Sequence, residues 1–334
     1  MEQFKKWMNA DSGLFALLVI SLITFIGLGL IVGKNMYTPQ RLVLMGYQIP
    51  EFGLIALGMT FSFLLGGIDL SLVANANLSG ILGAYILSGA WFSGLSSSTS
   101  ILVGIATTLS CSIVFGLLNG VIIAKFSVPP MIATLSTMTF YSGIAMALTG
   151  GSSITGFPQQ FTLFSTSTLL GIPSIFLLFV IITVILGFFL SRSGLGRRVY
   201  LYGENPIASR FSAINNERLI MMVFGLNGLL AGLSGLTIIS RVTTAKVGYG
   251  DAYLVQAMLV SIIGGISPSG GRGKVTGVMM AISIIQVLSS AFTIWQLSPY
   301  NRKLIWGFVL ILVIFVNHLI GLRGQKKEKQ AMLT

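Results

Sequence analysis

The stretch LSLVANANLSGILGAYILSGAWFSGLSSSTSILVGIATTLSCSIVFGLLNGVIIA (residues 70–124) carries no charge in 55 positions. One membrane-spanning helix needs about 20 apolar residues, so the stretch is too long for one span and fits two. Its middle, WFSGLSSSTS (91–100), gathers the Gly and Ser of a turn between periodic segments. The rest of the chain has the same character. Hydrophobic residues make up 54% and charged residues 8%, with a mean hydropathy of +0.90. A soluble domain carries about 25% charged residues, so lipid must cover part of this surface.

Charge-free gaps mark the other spans. Asp11 and Lys34 bracket 22 uncharged residues, one helix. Lys5 and Lys6 precede this run as in a signal peptide, but it is too long for an h-region and no small-x-small site follows. It reads as a retained first helix. Lys125 and Arg192 bracket 66 residues, with TGGSSITGFP (149–158) opening a loop between two helices. Gaps of 22, 20, 27 and 19 residues end at Arg241, Arg272, Arg302 and Arg323 and give one helix each. With a helix near 50–67, the chain reads as an all-α polytopic membrane protein of about ten transmembrane helices in one domain, 1–334. Forty glycines suit close helix packing in lipid.

With the N-terminus inside, 14 of the 20 Lys and Arg fall on the inner side and 6 on the outer. That is the positive-inside pattern, and it places both termini in the cytoplasm. It also makes 191–218, SRSGLGRRVYLYGENPIASRFSAINNER, the largest inner loop, with five arginines and the acids Glu204 and Glu217. The net charge of +12 does not indicate nucleic acid, because the basic residues are scattered rather than gathered on one domain.

Enzyme chemistry has little to stand on. No phosphate-loop pattern is present: Gly273-Lys274 is followed by Val275, and Pro268 stands where the first glycine belongs. No Cys/His cluster or catalytic constellation is legible, so no catalytic residue, metal or cofactor is assigned to this chain. Cys111 and His318 are single in their types: Cys111 forms no intrachain disulfide, and His318 reads as a packing or interface residue. An ion-coupled secondary transporter would bury several ionisable groups, and a mere membrane anchor would not need ten spans.

Four segments occur in order: ALGMTFSFLLGGIDLS (56–71), GLGRRVYLYGENPIASRFSAIN (194–215), GLLAGLSGL (228–236) and IIGGISPSGGRGKVTG (262–277). On these the chain resembles the membrane permease subunit of monosaccharide-type ABC importers, a family that takes ribose, xylose, arabinose and autoinducer-2. The resemblance implies a pore of two permease subunits, identical or paralogous, in the bacterial cytoplasmic (inner) membrane. It implies ATPase subunits that bind ATP and Mg on the cytoplasmic face, and an extracytoplasmic binding protein. Permeases for nucleosides or branched-chain amino acids share the design, so the solute stays open. The sequence departs from the family: Leu72-Val73-Ala74 replaces Val-Gly-Ser, Gly203-Glu204-Asn205 replaces Gly-Gly-Asn, and Ser212-Ala213-Ile214 replaces Ser-Gly-Ile.

The same resemblance makes 191–218 the ATPase-coupling loop, with Gly194, Gly196, Arg197, Glu204, Asn205, Pro206, Ala208, Arg210, Phe211, Ala213 and Asn215 as its candidate residues. Pro206 suits a first helical turn and Asn205 an N-cap. Ala208, Phe211 and Ala213 offer a small, apolar contact face, with Asn216 on the opposite side. The alternative is an amphipathic segment held on anionic lipid by its arginines. Gly66, Gly67, Asp69 and Ser71, and Gly264, Gly265, Gly270, Gly271 and Gly273, are candidate gate and turn motifs. Asp69 either braces a gate or caps the next helix. The two Gly-Gly-Ile strings also hint at an internal repeat, although a shared need for tight turns explains them equally. Glu51 is expected in the first turn of a helix starting at Pro50. If that helix starts nearer Leu42, Glu51 lies within the membrane on the substrate pathway.

Overall fold

The computed structural model describes residues 12–331 of the chain. The basic residues of the N-terminal segment lie outside the described residues, as do the side chains beyond Phe315, His318 among them. The chain is helical almost throughout. The helices are α1 (Ser12–Val32), α2 (Pro39–Leu64), α3 (Leu72–Leu87), α4 (Ser97–Phe126), α5 (Pro130–Thr149), α6 (Gln159–Thr166), α7 (Ser174–Arg192), α8 (Gly194–Glu204), α9 (Pro206–Phe211), α10 (Asn216–Val242), α11 (Asp251–Ile263), α12 (Val275–Ile294) and α13 (Pro299–Ala331). A two-stranded hairpin, β1 (Thr168–Leu169) and β2 (Ile172–Pro173), sits between α6 and α7.

Seven helices among the described residues are long and apolar enough to cross a membrane: α1, α2, α4, α5, α7, α10 and α12. Helices α3 and α11 are shorter apolar helices of 16 and 13 residues. At 1.5 Å per residue, α11 reaches only about 20 Å. Short helices are tolerated at membrane depth when protein surrounds them, and α3 is buried over most of its length. The long helices sort by burial. The apolar windows of α2 and α10 are each 67% buried, whereas that of α1 is 11% buried. The first two form the centre, and α1 faces lipid.

Glycine and serine set the closest contacts. On α4, Ser112, Gly116 and Gly120 recur every four residues, and on α10 Gly228 and Gly232 do the same. A Cβ on Gly116 would overlap the Phe224 carbonyl, and one on Gly228 the Ser112 carbonyl. The backbones therefore touch along this seam, as small-xxx-small helix pairs do. Without water to drive association, such van der Waals contact is what holds membrane helices together.

One expected boundary is corrected. The helix expected near 50–67 runs from Pro39 to Leu64 and passes through Pro50. The charges of Arg41 and Glu51 concealed it, because gap counting breaks a helix at every charge. The Gly-Gly-Ile echo is also resolved. Leu65, Gly66 and Gly67 donate backbone bonds to Phe61, Phe63 and Ser62, while Gly264, Gly265 and Ile266 donate to Val260, Ile262 and Ser261. Both are the same helix-ending turn, with the left-handed residue at Gly66 (φ 77°) and Gly265 (φ 80°). The turns superpose one residue out of step with the sequence match, so the echo reflects turn chemistry.

Candidate functional site

At one end of the bundle three sequence-distant segments meet. Gly271 N–H donates to the Leu64 carbonyl at 3.0 Å. Gly203, at the end of α8, lies against both: a Cβ there would overlap the Leu64 oxygen and the Gly271 amide. Tyr200 Oη donates to the Gly273 carbonyl at 2.9 Å, and Arg272 pairs with Glu204 at 3.8 Å, both exposed. Burial pushes the Tyr200 and Tyr202 phenols above their ordinary value, with Arg210 pulling Tyr202 part-way back. Both stay neutral at physiological pH. The 194–215 segment is thus seated on the α2 end and on the 264–273 loop.

The N-terminal signals of the segment act as the residues suggest. Ser193 caps α8 through Gly196 N–H at 2.9 Å. Asn205 Oδ1 accepts from Ile207 and Ala208 N–H at 2.9 and 3.0 Å, so α9 starts at Pro206 with a satisfied cap. Asn215 Oδ1 accepts from Arg218 N–H at 2.9 Å and caps α10. Gly194, Arg197, Glu204, Ala208 and Arg210 are exposed, and Gly196 packs against the Leu190 carbonyl.

Two expectations within this segment are corrected. Ala213 is not on the helix face: it follows α9 in the left-handed conformation, φ 58°. That is a conformation glycine adopts most easily, which explains why a glycine suits the position. Asn216 is not an idle outer residue either. Its Oδ1 accepts from Ser209 Oγ and its Nδ2 donates to the Pro206 carbonyl at 3.0 Å, tying α9 to α10. The exposed apolar side chains of α9 are Ile207 and Phe211, one helical turn apart, 70% and 90% exposed. Ile207 escaped the sequence reading, although its i, i+4 spacing to Phe211 was legible. Both line a groove of about 750 Å³, together with Tyr202, Arg210, Ile220 and the 127–130 turn between α4 and α5.

Asp69 stands behind this face, 2% exposed. Its Oδ1 accepts from Ser71 N–H and Ser71 Oγ at 3.0 and 2.6 Å, and its Oδ2 accepts from Asn227 Nδ2 at 3.1 Å. Asn227 Nδ2 also donates to Ser62 Oγ at 2.6 Å. Ser71 Oγ accepts from Asn119 Nδ2 at 2.8 Å, whose Oδ1 accepts from Thr137 Oγ1 at 2.7 Å. The capping expectation is not met, because Asp69 reaches only the Ser71 amide, ahead of the first residue of α3. Instead the carboxylate braces the α2–α3 turn to α10, and through Ser71 to α4 and α5. Asn119 and Asn227 were missed: isolated polar residues in apolar runs do not announce their partners.

Glu51 lies far from this end, and its expected first-turn position is overturned. It sits about 18 Å into α2 from Pro39 and is fully buried. It pairs with the Arg241 guanidinium and accepts from Tyr253 Oη at 2.6 Å, while Arg241 reaches Tyr249 Oη at 3.2 Å. One buried charge pair thus ties α2, α10 and α11. Beyond it, the 150–158 and 243–250 loops are joined by a bridge between Ile154 and Ala245.

Residues 42–314 match the family described as the branched-chain amino acid transport system permease component. The chain belongs to this family. It is a transmembrane permease. Among its relatives, the ribose import permease protein RbsC of Bacillus subtilis is 33% identical over 307 residues, covering 91% of this chain and 90% of that one. The autoinducer 2 import system permease protein LsrD of Klebsiella pneumoniae is 28% identical, covering 92% of this chain and 91% of that one. The D-allose transport system permease protein AlsC of Escherichia coli is 29% identical, covering 80% of each. No solved structure matches the permease.

Proposed function

We propose that the permease is the pore-forming subunit of an ATP-driven importer in the bacterial inner membrane, and that α9 is where a separate ATPase docks. The observation that carries this reading is the α9 face. Ile207 and Phe211 project from the helix bundle beside exposed Arg210 and an open groove. Protruding apolar residues with a charged rim suit a protein partner better than water. The positive-inside count supports the cytoplasm as the side of this face. The bracing of the α2–α3 turn by Asp69 supports a path by which displacement of the α8–α9 segment reaches four helices. ATP and Mg then belong to the partner subunit, and this chain supplies no reaction of its own. A second permease copy or a paralogue completes the pore, and an extracytoplasmic binding protein delivers the solute. Two relatives are named for the sugars ribose and allose and a third for autoinducer 2, which supports a small sugar or sugar-like solute here.

The test uses the purified permease reconstituted with its ATPase and binding protein. Uptake is expected to stop with vanadate and to survive a protonophore while ATP is held constant. Phe211→Arg would bury an unpaired charge in the docked groove at a cost of several kcal/mol. Since about 1.4 kcal/mol is tenfold, ATPase copurification should fall by about a hundredfold or more, with membrane insertion normal. If α9 instead rested on anionic lipid, the added arginine would strengthen that contact and leave uptake intact. Wild-type copurification and uptake in Phe211→Arg would overturn the docking assignment.

A further inference from the structure

A second groove of about 680 Å³ runs down the lipid-facing side of the permease between α7 and α12. We infer that it is a binding site for one anionic phospholipid of the leaflet that holds the α8–α9 face.

Three observations point to that ligand. The groove changes character along its length. Val180, Val184 and Phe188 line one part, and Ser191, Tyr200 and Lys274 line the other. Its polar part lies where α7 ends at Arg192 and α12 begins at Val275, so two helices reach the membrane boundary together. From Val180 to Ser191 is about 16 Å along a helix, against about 15 Å for the hydrocarbon half of a bilayer. The groove therefore fits an acyl chain from a single leaflet.

The polar part carries positive potential. Lys274 is at its rim, and the first turn of α12, a 20-residue helix, presents the positive end of its dipole there. Arg192 follows Ser191, and Arg197 stands one turn before Tyr200, both exposed. A zwitterionic headgroup would meet this cluster with no net charge, whereas a phosphatidylglycerol headgroup brings a negative one. The site also touches the ATPase face: Tyr200 donates to the Gly273 carbonyl, joining groove and coupling segment. The inference uses the membrane reading but needs neither the ATPase nor the direction of transport.

The experiment takes the full chain in detergent, equilibrates it with equal phosphatidylglycerol and phosphatidylcholine, and reads retained lipid by native mass spectrometry. The wild type is expected to retain one phosphatidylglycerol about fivefold over phosphatidylcholine, as one well-placed basic contact gives. Lys274→Gln should abolish the preference while some lipid of either kind remains, and Lys274→Arg should restore it. Val184→Trp fills the acyl part at an exposed position and should remove retention of both lipids, with elution unchanged. Because the assay contains no ATPase, failure of the importer reading would leave this result standing. Equal retention of the two lipids by the wild type, or a preference that survives Lys274→Gln or Val184→Trp, would overturn the site.

Discussion

Gly203 has no room for a side chain, because it is the point where three segments of the permease touch. A Cβ there would meet the Leu64 carbonyl, the last residue of α2, and the amide of Gly271. Gly203→Val must push these backbones apart, and overpacking of this kind costs about 1–3 kcal/mol. Asn216 fixes the other end of the segment with two hydrogen bonds, each worth about 1 kcal/mol. Gly203→Val and Asn216→Leu are both expected to loosen α8 and α9 without unfolding the bundle. Limited proteolysis within 194–215 should proceed about tenfold faster in each. Clipping at the wild-type rate would show that neither contact holds the segment.

At the level of elements, the Glu51–Arg241 pair fastens α2 to α10, and Tyr253 adds α11. A carboxylate fully buried in a lipid-embedded bundle is stable only while its partner remains. Glu51→Leu leaves the guanidinium unpaired, and Arg241→Leu leaves the carboxylate so. Either loss is expected to cost about 3–5 kcal/mol, read as a lowered thermal midpoint in detergent. The double variant Glu51→Leu/Arg241→Leu should recover part of that loss, because two leucines need no partner. If the double variant is as unstable as the sum of the singles, the two side chains act independently and the pair is not the fastening.

For the whole molecule, orientation decides which end of the bundle faces the cytoplasm. The Ile154–Ala245 bridge puts the 150–158 and 243–250 loops at one end, and the Gly203, Leu64 and Gly271 contacts gather the 194–215 segment at another. In a Cys111→Ser background, cysteine at Ser153 should react with an impermeant maleimide added outside intact cells. Cysteine at Ser212, exposed beside α9, should react only after the membrane is opened. The opposite labelling would invert the topology and remove the docking assignment with it.

The sequence by itself determined the class of fold and most of the spans, because the cost of placing charge in hydrocarbon is paid residue by residue and leaves charge-free runs. It also determined the start of α9, since an Asn-Pro cap is a local device: Asn205 bonds residues two and three positions away. It misplaced α2, where Arg41 and Glu51 interrupt the run, because a buried charge is stabilised by a partner that local sequence does not reveal. Arg241 lies 190 residues from Glu51, and Asn227 lies 158 from Asp69. It placed Ala213 on the face of α9, because the extent of a six-residue helix is set by what packs around it. Only the tertiary structure brought Gly203, Leu64 and Gly271 together, and only it decided that Ile207 and Phe211 face outward. Those facts depend on which surfaces the long helices leave uncovered, a property of the packed bundle rather than of any one segment.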